Sequence, residues 1–331
     1  MAVRIGLALG GGGAKGAFTV GALKVVRQQL GVTRFPVVSG TSTGSLIGTL
    51  LAIDDWSTLV DIYSNVATRN IVDPHHALVA KVAGPEAVLF AAAVLGGRAI
   101  FDTAALRATI TANVDMRDVV AAQARTLLIY NTVDLQSGER VTFDNRRHDA
   151  ATLLEALLAS ASMPVLMDPV EITQDAMRHQ YVDGGVREFL PLGALFDSGV
   201  PVDRVLAIST APLVAKRLPG RQDRITDILA RTVDLLDVEV GANDYAGAQL
   251  FNAILRMIEN AAAAGVSRRA LLAGIPADVR PRLQGKVAVP LTIIAPQDHF
   301  DFDSLDFDRD KMQAATALGV EAAKRALAAT A

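Results

Sequence analysis

Gly10-Gly-Gly-Gly-Ala-Lys15-Gly16 and Gly40-Thr-Ser42-Thr-Gly44 are the stretches whose reading decides the fold. Each closes a short apolar run and opens a segment with helical spacing. Arg4 to Leu9 reads as a buried strand, short, apolar and ended by glycine. Gly16 to Leu30 then places Phe18, Ala22, Val25, Val26 and Gln29 at helical spacing, with Lys24, Arg27 and Gln28 opposite and Gly31 as C-cap. Phe35 to Val38 reads as a second buried strand and Ser45 to Ile53 as an apolar helix. Two successive strand-turn-helix units are the grammar of a parallel sheet covered by helices.

Further along, Trp56 to Thr68 reads as a helix, and Leu78 to Leu95 as an alanine-rich helix or helix pair broken near Gly84-Pro85. Asp102 to Val114 has the pattern of a capped helix. Thr126 to Val133 and Arg140 to Phe143 read as strand, turn and strand, and Ala150 to Ala159 as a helix. Gln180 to Asp183 is a short strand, Val205 to Ser209 a buried one and Val289 to Ala295 the last. Arg224 to Ala264 reads as two helices bent near Gly241 or Gly247, and Asp308 to Ala329 as the final helix. No repeat, low-complexity linker or domain boundary interrupts the 331 residues.

Composition narrows the function classes. A net charge of -3 with 5% aromatic residues argues against nucleic-acid binding. Without cysteine, disulfides, thiolate nucleophiles and Cys-ligated metals are excluded. The apolar run Val3 to Leu9 is too short for the core of a signal peptide, so the mature protein is expected to begin near Met1. Ala77 to Gly97 is the most membrane-like segment, but Lys81, Glu86 and Gly84-Pro85 interrupt it, so it reads as soluble or interfacial. A cytoplasmic or membrane-peripheral location is expected.

Gly11-x-Gly13-x-x-Gly16 satisfies the dinucleotide fingerprint between a strand and a helix, but that fingerprint wants an acid about 20 residues on. No Asp or Glu occurs before Asp54. A P-loop fails because Gly16, not Ser or Thr, follows Lys15. Consecutive glycines are entropically costly in a plain turn, and they suit a loop whose N-H groups face an oxyanion. Gly40-x-Ser42-x-Gly44 fits a nucleophile elbow lifting Ser42 to a helix N-terminus, where the dipole favours developing negative charge. A plain Ser N-cap is the duller reading and does not explain both glycines.

A serine needs a base. Of His75, His76, His148, His179 and His299, only His299 stands late enough in the chain for a Ser, acid, His order. Asp183-Gly184-Gly185 is the other candidate, though Asp-Gly is equally an ordinary turn signal. Leu46, Ile47, Leu50 and Leu51 near the elbow suit an acyl chain and equally suit a core. Asp306-x-Asp308-x-Asp310 hints at a calcium loop, but Lys311 and Ala317 stand where such a loop needs Gly and Glu. A capped, acidic helix start explains it better, and no metal or cofactor is expected.

The ordered set Gly11 to Gly16, Gly40 to Gly44 and Asp183 to Gly185 resembles the patatin-like phospholipase family, in its patterns G-G-G-x-[RK]-G, G-x-S-x-G and D-G-[GA]. Softer similarity lies in Ser160-Ala-Ser-Met-Pro164 and around Phe302 to Asp308. The resemblance implies a three-layer α/β/α fold with a mostly parallel sheet, in one domain spanning 1–331. Residues 212–285 would be a helical elaboration particular to this chain. It further implies Ser42 as nucleophile, Asp183 as base, and Gly11, Gly12 and Gly13 as the oxyanion hole, supported by Lys15, Gly40, Gly44, Gly184 and Gly185. Lys15 would fix the glycine loop or touch a lipid phosphate. The implied activity is hydrolysis of phospholipid or lysophospholipid esters, with peripheral membrane contact. A transacylase, a general carboxylesterase or a lipid-binding regulatory module are the alternatives. Because a free aspartate is too acidic for an efficient base at neutrality, Asp183 is expected to be partly desolvated.

Overall fold

Along each central strand, alternate side chains face two different cores. The computed structural model describes residues 3–71, 73–74, 99–174, 176–218, 220–221 and 223–329. The segment read at Leu78 to Leu95, the stretch Ala77 to Gly97, and His75 and His76 lie outside them.

In chain order the strands are β1 (Ile5–Leu9), β2 (Val37–Thr41), β3 (Asp73–Pro74), β4 (Phe101–Asp102) and β5 (Leu127–Asp134). They continue as β6 (Arg140–Asp144), β7 (Val170–Gln174), β8 (Met177–Asp183), β9 (Arg204–Ile208) and β10 (Leu291–Ile294). The helices are α1 (Gly16–Leu30), α2 (Thr43–Ala52), α3 (Trp56–Asn65), α4 (Ala104–Asn113), α5 (Met116–Ala121) and α6 (Ala150–Ser160). After them come α7 (Leu192–Asp197), α8 (Ile225–Ala263), α9 (Arg268–Ala273), α10 (Arg280–Leu283) and α11 (Arg309–Ala328).

The main sheet runs β10-β9-β1-β2-β5, all parallel, and continues antiparallel through β8 and β7, with β6 antiparallel to β5. Leu7, Leu9, Val38, Leu128, Tyr130, Leu206 and Ile208 face a core shared with α1, α2, α6 and α11. Ala8, Val37, Leu127, Ile129, Val205 and Ala207 face the opposite core, shared with α7 and α8. The fold is therefore α/β with three layers, as the strand-turn-helix grammar requires. Gly31 ends α1 with φ 63, as a C-cap does. Glycine also lets α1 and α11 cross closely, since a Cβ on Gly319 would lie 2.0 Å from the Phe18 carbonyl oxygen.

Several elements differ from their sequence reading or were not read. Residues 225 to 263 form one continuous helix of 39 residues and not two bent ones. An interior glycine costs about 1 kcal/mol against alanine, which packing readily offsets. Gly241 lies on the Phe189 ring, where a Cβ would come within 3.1 Å. The second strand runs on to Thr41, and β7 was not legible because only Val170 and Ile172 of its residues are buried.

The pairing of β5 places the site. Leu127 to Asn131 pair with β2, and Thr132 to Asp134 pair with β8. Because β6 takes the other edge of residues 129 to 133, β2 and β8 share one edge of β5, end to end. Asp183, opposite Thr132, thus abuts the point where β2 stops and Ser42 begins.

Candidate active site

Ser42 occupies the turn between β2 and α2 with φ 55 and ψ -126, a conformation that non-glycine residues rarely adopt. Both flanking glycines are required by space. A Cβ on Gly44 would lie 2.2 Å from the Leu9 carbonyl oxygen, and one on Gly40 would lie 2.5 Å from Gly44 backbone. Ser42 holds the N-cap position of α2, yet its side chain makes no capping bond. Its N-H donates to Ser160 Oγ (3.2 Å), whose hydroxyl donates to the Asn131 carbonyl (2.7 Å) and lies 2.8 Å from Ser45 Oγ. The strained turn is thus braced from the C-terminal end of α6. Strain of this kind persists where the surroundings over-determine it.

Asp183 ends β8 only 5% exposed. Burial pushes its carboxyl up to about 6, against the Gly185 N-H, which donates to Oδ1 at 2.8 Å, and the Ser42 side chain, which both favour the charged form. The desolvation expected of this residue is present. The Asp-Gly pair opens a 3-10 turn, Gly184–Val186, rather than a hairpin. Asn131 pins that turn to the end of β2: its Nδ2 donates to the Glu188 carbonyl (2.9 Å) and to Thr41 Oγ1 (3.2 Å). A Cβ on Gly184 would lie 2.5 Å from the Asn131 oxygen, so only glycine fits there.

The glycine loop runs beside Ser42. A Cβ on Gly11 would come within 3.1 Å of Ser42 Cβ. Gly12 and Gly13 have φ 120 and 55, which glycine alone adopts freely. Among the described residues, no acceptor is found for the N-H groups of Gly11, Gly12 and Gly13, whereas Gly10, Ala14 and Lys15 all donate to backbone. Such donors can receive a developing oxyanion. Thr210, just beyond β9, donates its hydroxyl to the Gly11 carbonyl, and Ala14 N-H donates to the Ser304 carbonyl (2.8 Å).

Lys15 reaches across to α8. Its Nζ lies 2.7 Å from Asp234 Oδ1 on α8, with the lysine side chain 8% exposed. The pair joins the glycine loop to α8. Asp237, one turn along α8, is raised to about 7 by burial, with Lys15 lowering it and the Asp183 and Asp234 charges raising it. Lys15, Thr210, Asp234, Asp237 and His299 line one small cavity. Sequence reading missed Asp234, Asp237, Asn131, Thr210 and Ser304. The available signal was two carboxylates at i and i+3 on the face of a helix that also presents Val238 and Gly241 inward.

His299 lies with Arg231, its Nε2 3.4 Å from Nη1, and its imidazole is lowered chiefly by burial. His148 bonds the Asp144 backbone, and His179 Nδ1 lies 3.1 Å from Asp134 Oδ2. The structure brings no described histidine to Ser42 or Asp183. Asp308 caps α11 by accepting from the Asp310 and Lys311 N-H groups, and Asp306 pairs with Lys311 at 2.5 Å. Among the described residues no group of His, Asp or Glu side chains is arranged to hold a metal ion.

Beside Ser42 opens an apolar pocket of about 950 Å³, its open mouth included. Leu46, Leu50, Leu106, Ile110, Leu157 and Met167 are among its walls, with Ser304, Leu305 and Phe307 on another side. Ile47 and Leu51 belong to the core instead. No helix among the described residues is long and apolar enough to cross a membrane.

Known proteins resemble parts of this chain. Over 50 residues, 14% of the chain, it is 52% identical to the cUMP-AMP-activated phospholipase of Escherichia coli, of which the match spans only 16%. Among solved structures, VipD from Legionella pneumophila superposes with a TM-score of 0.48 at 12% identity, covering 99% of this chain and 67% of that one. The model of the patatin-like phospholipase family matches residues 7–196, more than half the chain, which includes Ser42 and Asp183. The chain belongs to the patatin-like phospholipase family.

Proposed function

We propose that this protein is a serine acyl hydrolase that cleaves fatty acyl esters of phospholipids or lysophospholipids with a Ser42-Asp183 dyad. The observation that carries the reading is the buried Asp183 carboxyl, raised to about 6 by burial, at the end of β8 beside a serine held in a strained turn at the head of an apolar pocket. The acyl chain lies in the pocket, and Ser42 Oγ attacks the ester carbonyl carbon as its proton passes to Asp183. The carbonyl oxygen becomes an oxyanion that the Gly11, Gly12 and Gly13 N-H groups receive, with the dipole of α2 in support. Collapse breaks the ester C-O bond, the proton returns to the departing alcohol, and acyl-Ser42 remains. Water, deprotonated by Asp183, then adds to the acyl carbon. Collapse breaks the bond from the acyl carbon to Ser42 Oγ, the proton passes from Asp183 to Oγ, and the fatty acid leaves.

A base near 6 is mostly ionised at neutral pH yet far more basic than a free carboxylate, which suits it to this exchange. The whole chain acts as one unit in this reading, because residues 212–285 supply Asp234 to the glycine loop. The test is release of fatty acid from phospholipid vesicles and from a soluble short-chain ester by the parent, Ser42→Ala, Asp183→Asn and His299→Ala. Loss of about a thousandfold or more in the first two, with His299→Ala near the parent, is the expected result. An inactive His299→Ala with active Asp183→Asn would overturn the dyad.

A further inference from the structure

We infer that the 213–218 loop and the first turns of α8 form a docking surface for an anionic lipid bilayer, which delivers substrate to the pocket. This deepens the lipid acyl hydrolase reading and rests on it. About 13 Å of helix, residues 225 to 233, lies N-terminal to the Lys15-Asp234 pair. Ile225 and Ile228 of this stretch share one face of α8 with Leu235, just past the pair, at 62%, 50% and 42% exposed. Leu236 beside them is 57% exposed and Val214 on the facing loop 71%. Leu213, Val214, Leu235 and Leu236 line an open groove between loop and helix.

Charge supports the occupant. Lys216, Arg217, Arg221, Arg224 and Arg231 stand around the groove against Asp223, Asp227, Glu239 and Asp298, a small cationic excess in a chain whose net charge is -3. Aliphatic side chains flanked by cations are the composition of a surface that sinks to the headgroup level of a membrane. A protein-binding patch favours aromatic anchors, and the exposed side chains of this face are aliphatic.

Position supports the same occupant. Asp298 pairs with Lys216, and His299 lies against Arg231. The same loop continues to Ser304, Leu305 and Phe307, which line the acyl pocket. One segment of chain therefore joins the cationic surface to the pocket.

The test is co-sedimentation of the full chain with phosphatidylcholine vesicles with and without phosphatidylglycerol, at low salt and at about 0.5 M. Expected are binding to the phosphatidylglycerol vesicles, weak binding to pure phosphatidylcholine, and loss at high salt. Arg217→Gln with Arg221→Gln should weaken binding about 25-fold, about fivefold for each cation. Leu235→Ser with Leu236→Ser should also weaken it, while hydrolysis of a soluble short-chain ester stays at the parent rate in both variants. Binding that ignores salt and both variants overturns the proposal, as does a parent that hydrolyses the soluble ester without sedimenting. Variants that change only self-association also overturn it, in favour of a protein partner. Vesicle binding without any ester hydrolysis would uphold the docking surface and refute the hydrolase reading.

Discussion

Lys15 Nζ and Asp234 Oδ1 stand 2.7 Å apart and tie the glycine loop to the long helix α8. Removing one partner of a buried pair leaves the other charge unmet and costs about 3–5 kcal/mol. Asp234 keeps 24% exposure and Asp237 remains close to Lys15, so Asp234→Ala should cost less, about 2 kcal/mol. Its effect on ester hydrolysis should fall on kcat rather than KM, because the loop and not the pocket is loosened. Denaturant unfolding together with steady-state kinetics checks both; an unchanged kcat would detach Lys15 from the function of the loop.

Ser160 offers a second brace to remove. Its Oγ is the acceptor for the Ser42 N-H, and in Ser160→Ala that buried donor has no partner. The expected cost is about 1–3 kcal/mol. Activity should drop with it, because the turn at Ser42 loses the contact that holds its strained φ. A variant with parent stability and parent rate would refute the bracing role.

The pH dependence has two opposite signs. Asp183 must be ionised to accept a proton, so kcat/KM should fall as pH drops through about 6. Stability should move the other way. Asp183, Asp237 and Asp244 are raised to about 6, 7 and 7, chiefly by burial, so the folded state binds protons more tightly than the unfolded one. Stability should therefore fall as pH rises from about 4 to about 7, by at most about 1.4 kcal/mol per pH unit for each group, and level off above. Thermal unfolding across that range measures it.

From the same linkage, Asp183→Asn should be dead but more stable than the parent at pH 8, by about 1–3 kcal/mol, with the gain vanishing near pH 4. Equal melting temperatures at pH 8 would mean that the carboxylate is better solvated than its 5% exposure indicates.

Gly44→Ala should be strongly damaging for a single methyl group. The added carbon would press to 2.2 Å from the Leu9 carbonyl oxygen, where β1 meets α2 and no flexible side chain can yield. A loss of about 3 kcal/mol or more is expected. Gly247→Ala, with open space around it, should instead stabilise α8 by about 1 kcal/mol. Paired urea titrations of the two variants give the comparison.

The parts legible in the sequence were those that leave a local pattern. The glycines at 11 to 13, 40, 44 and 184 could be read as motifs from their spacing, although the close approaches that require most of them are to distant segments such as Ser42, Thr210, Ser304, Leu9 and Asn131. Helix α1 was legible from its apolar spacing and from Gly31. What escaped was set by distant contacts. Asn131 matters because β2 and β8 share one edge of β5, and no local pattern records that. Continuity of α8 through Gly241 depends on Phe189, fifty-two positions earlier. Lys15 could be seen as important, but its partner could not be named from a distance of 219 residues.

The supports of the glycine loop come late in the chain. Ser42 and Asp183 both lie within residues 7–196, while Thr210, Asp234 and Ser304, which hold the loop's carbonyl, cation and backbone, all follow. Ser42 and Asp183 therefore leave the ribosome before Thr210, Asp234 and Ser304 do, so under the proposed dyad the two reacting groups are synthesised ahead of the contacts that shape the glycine loop between them.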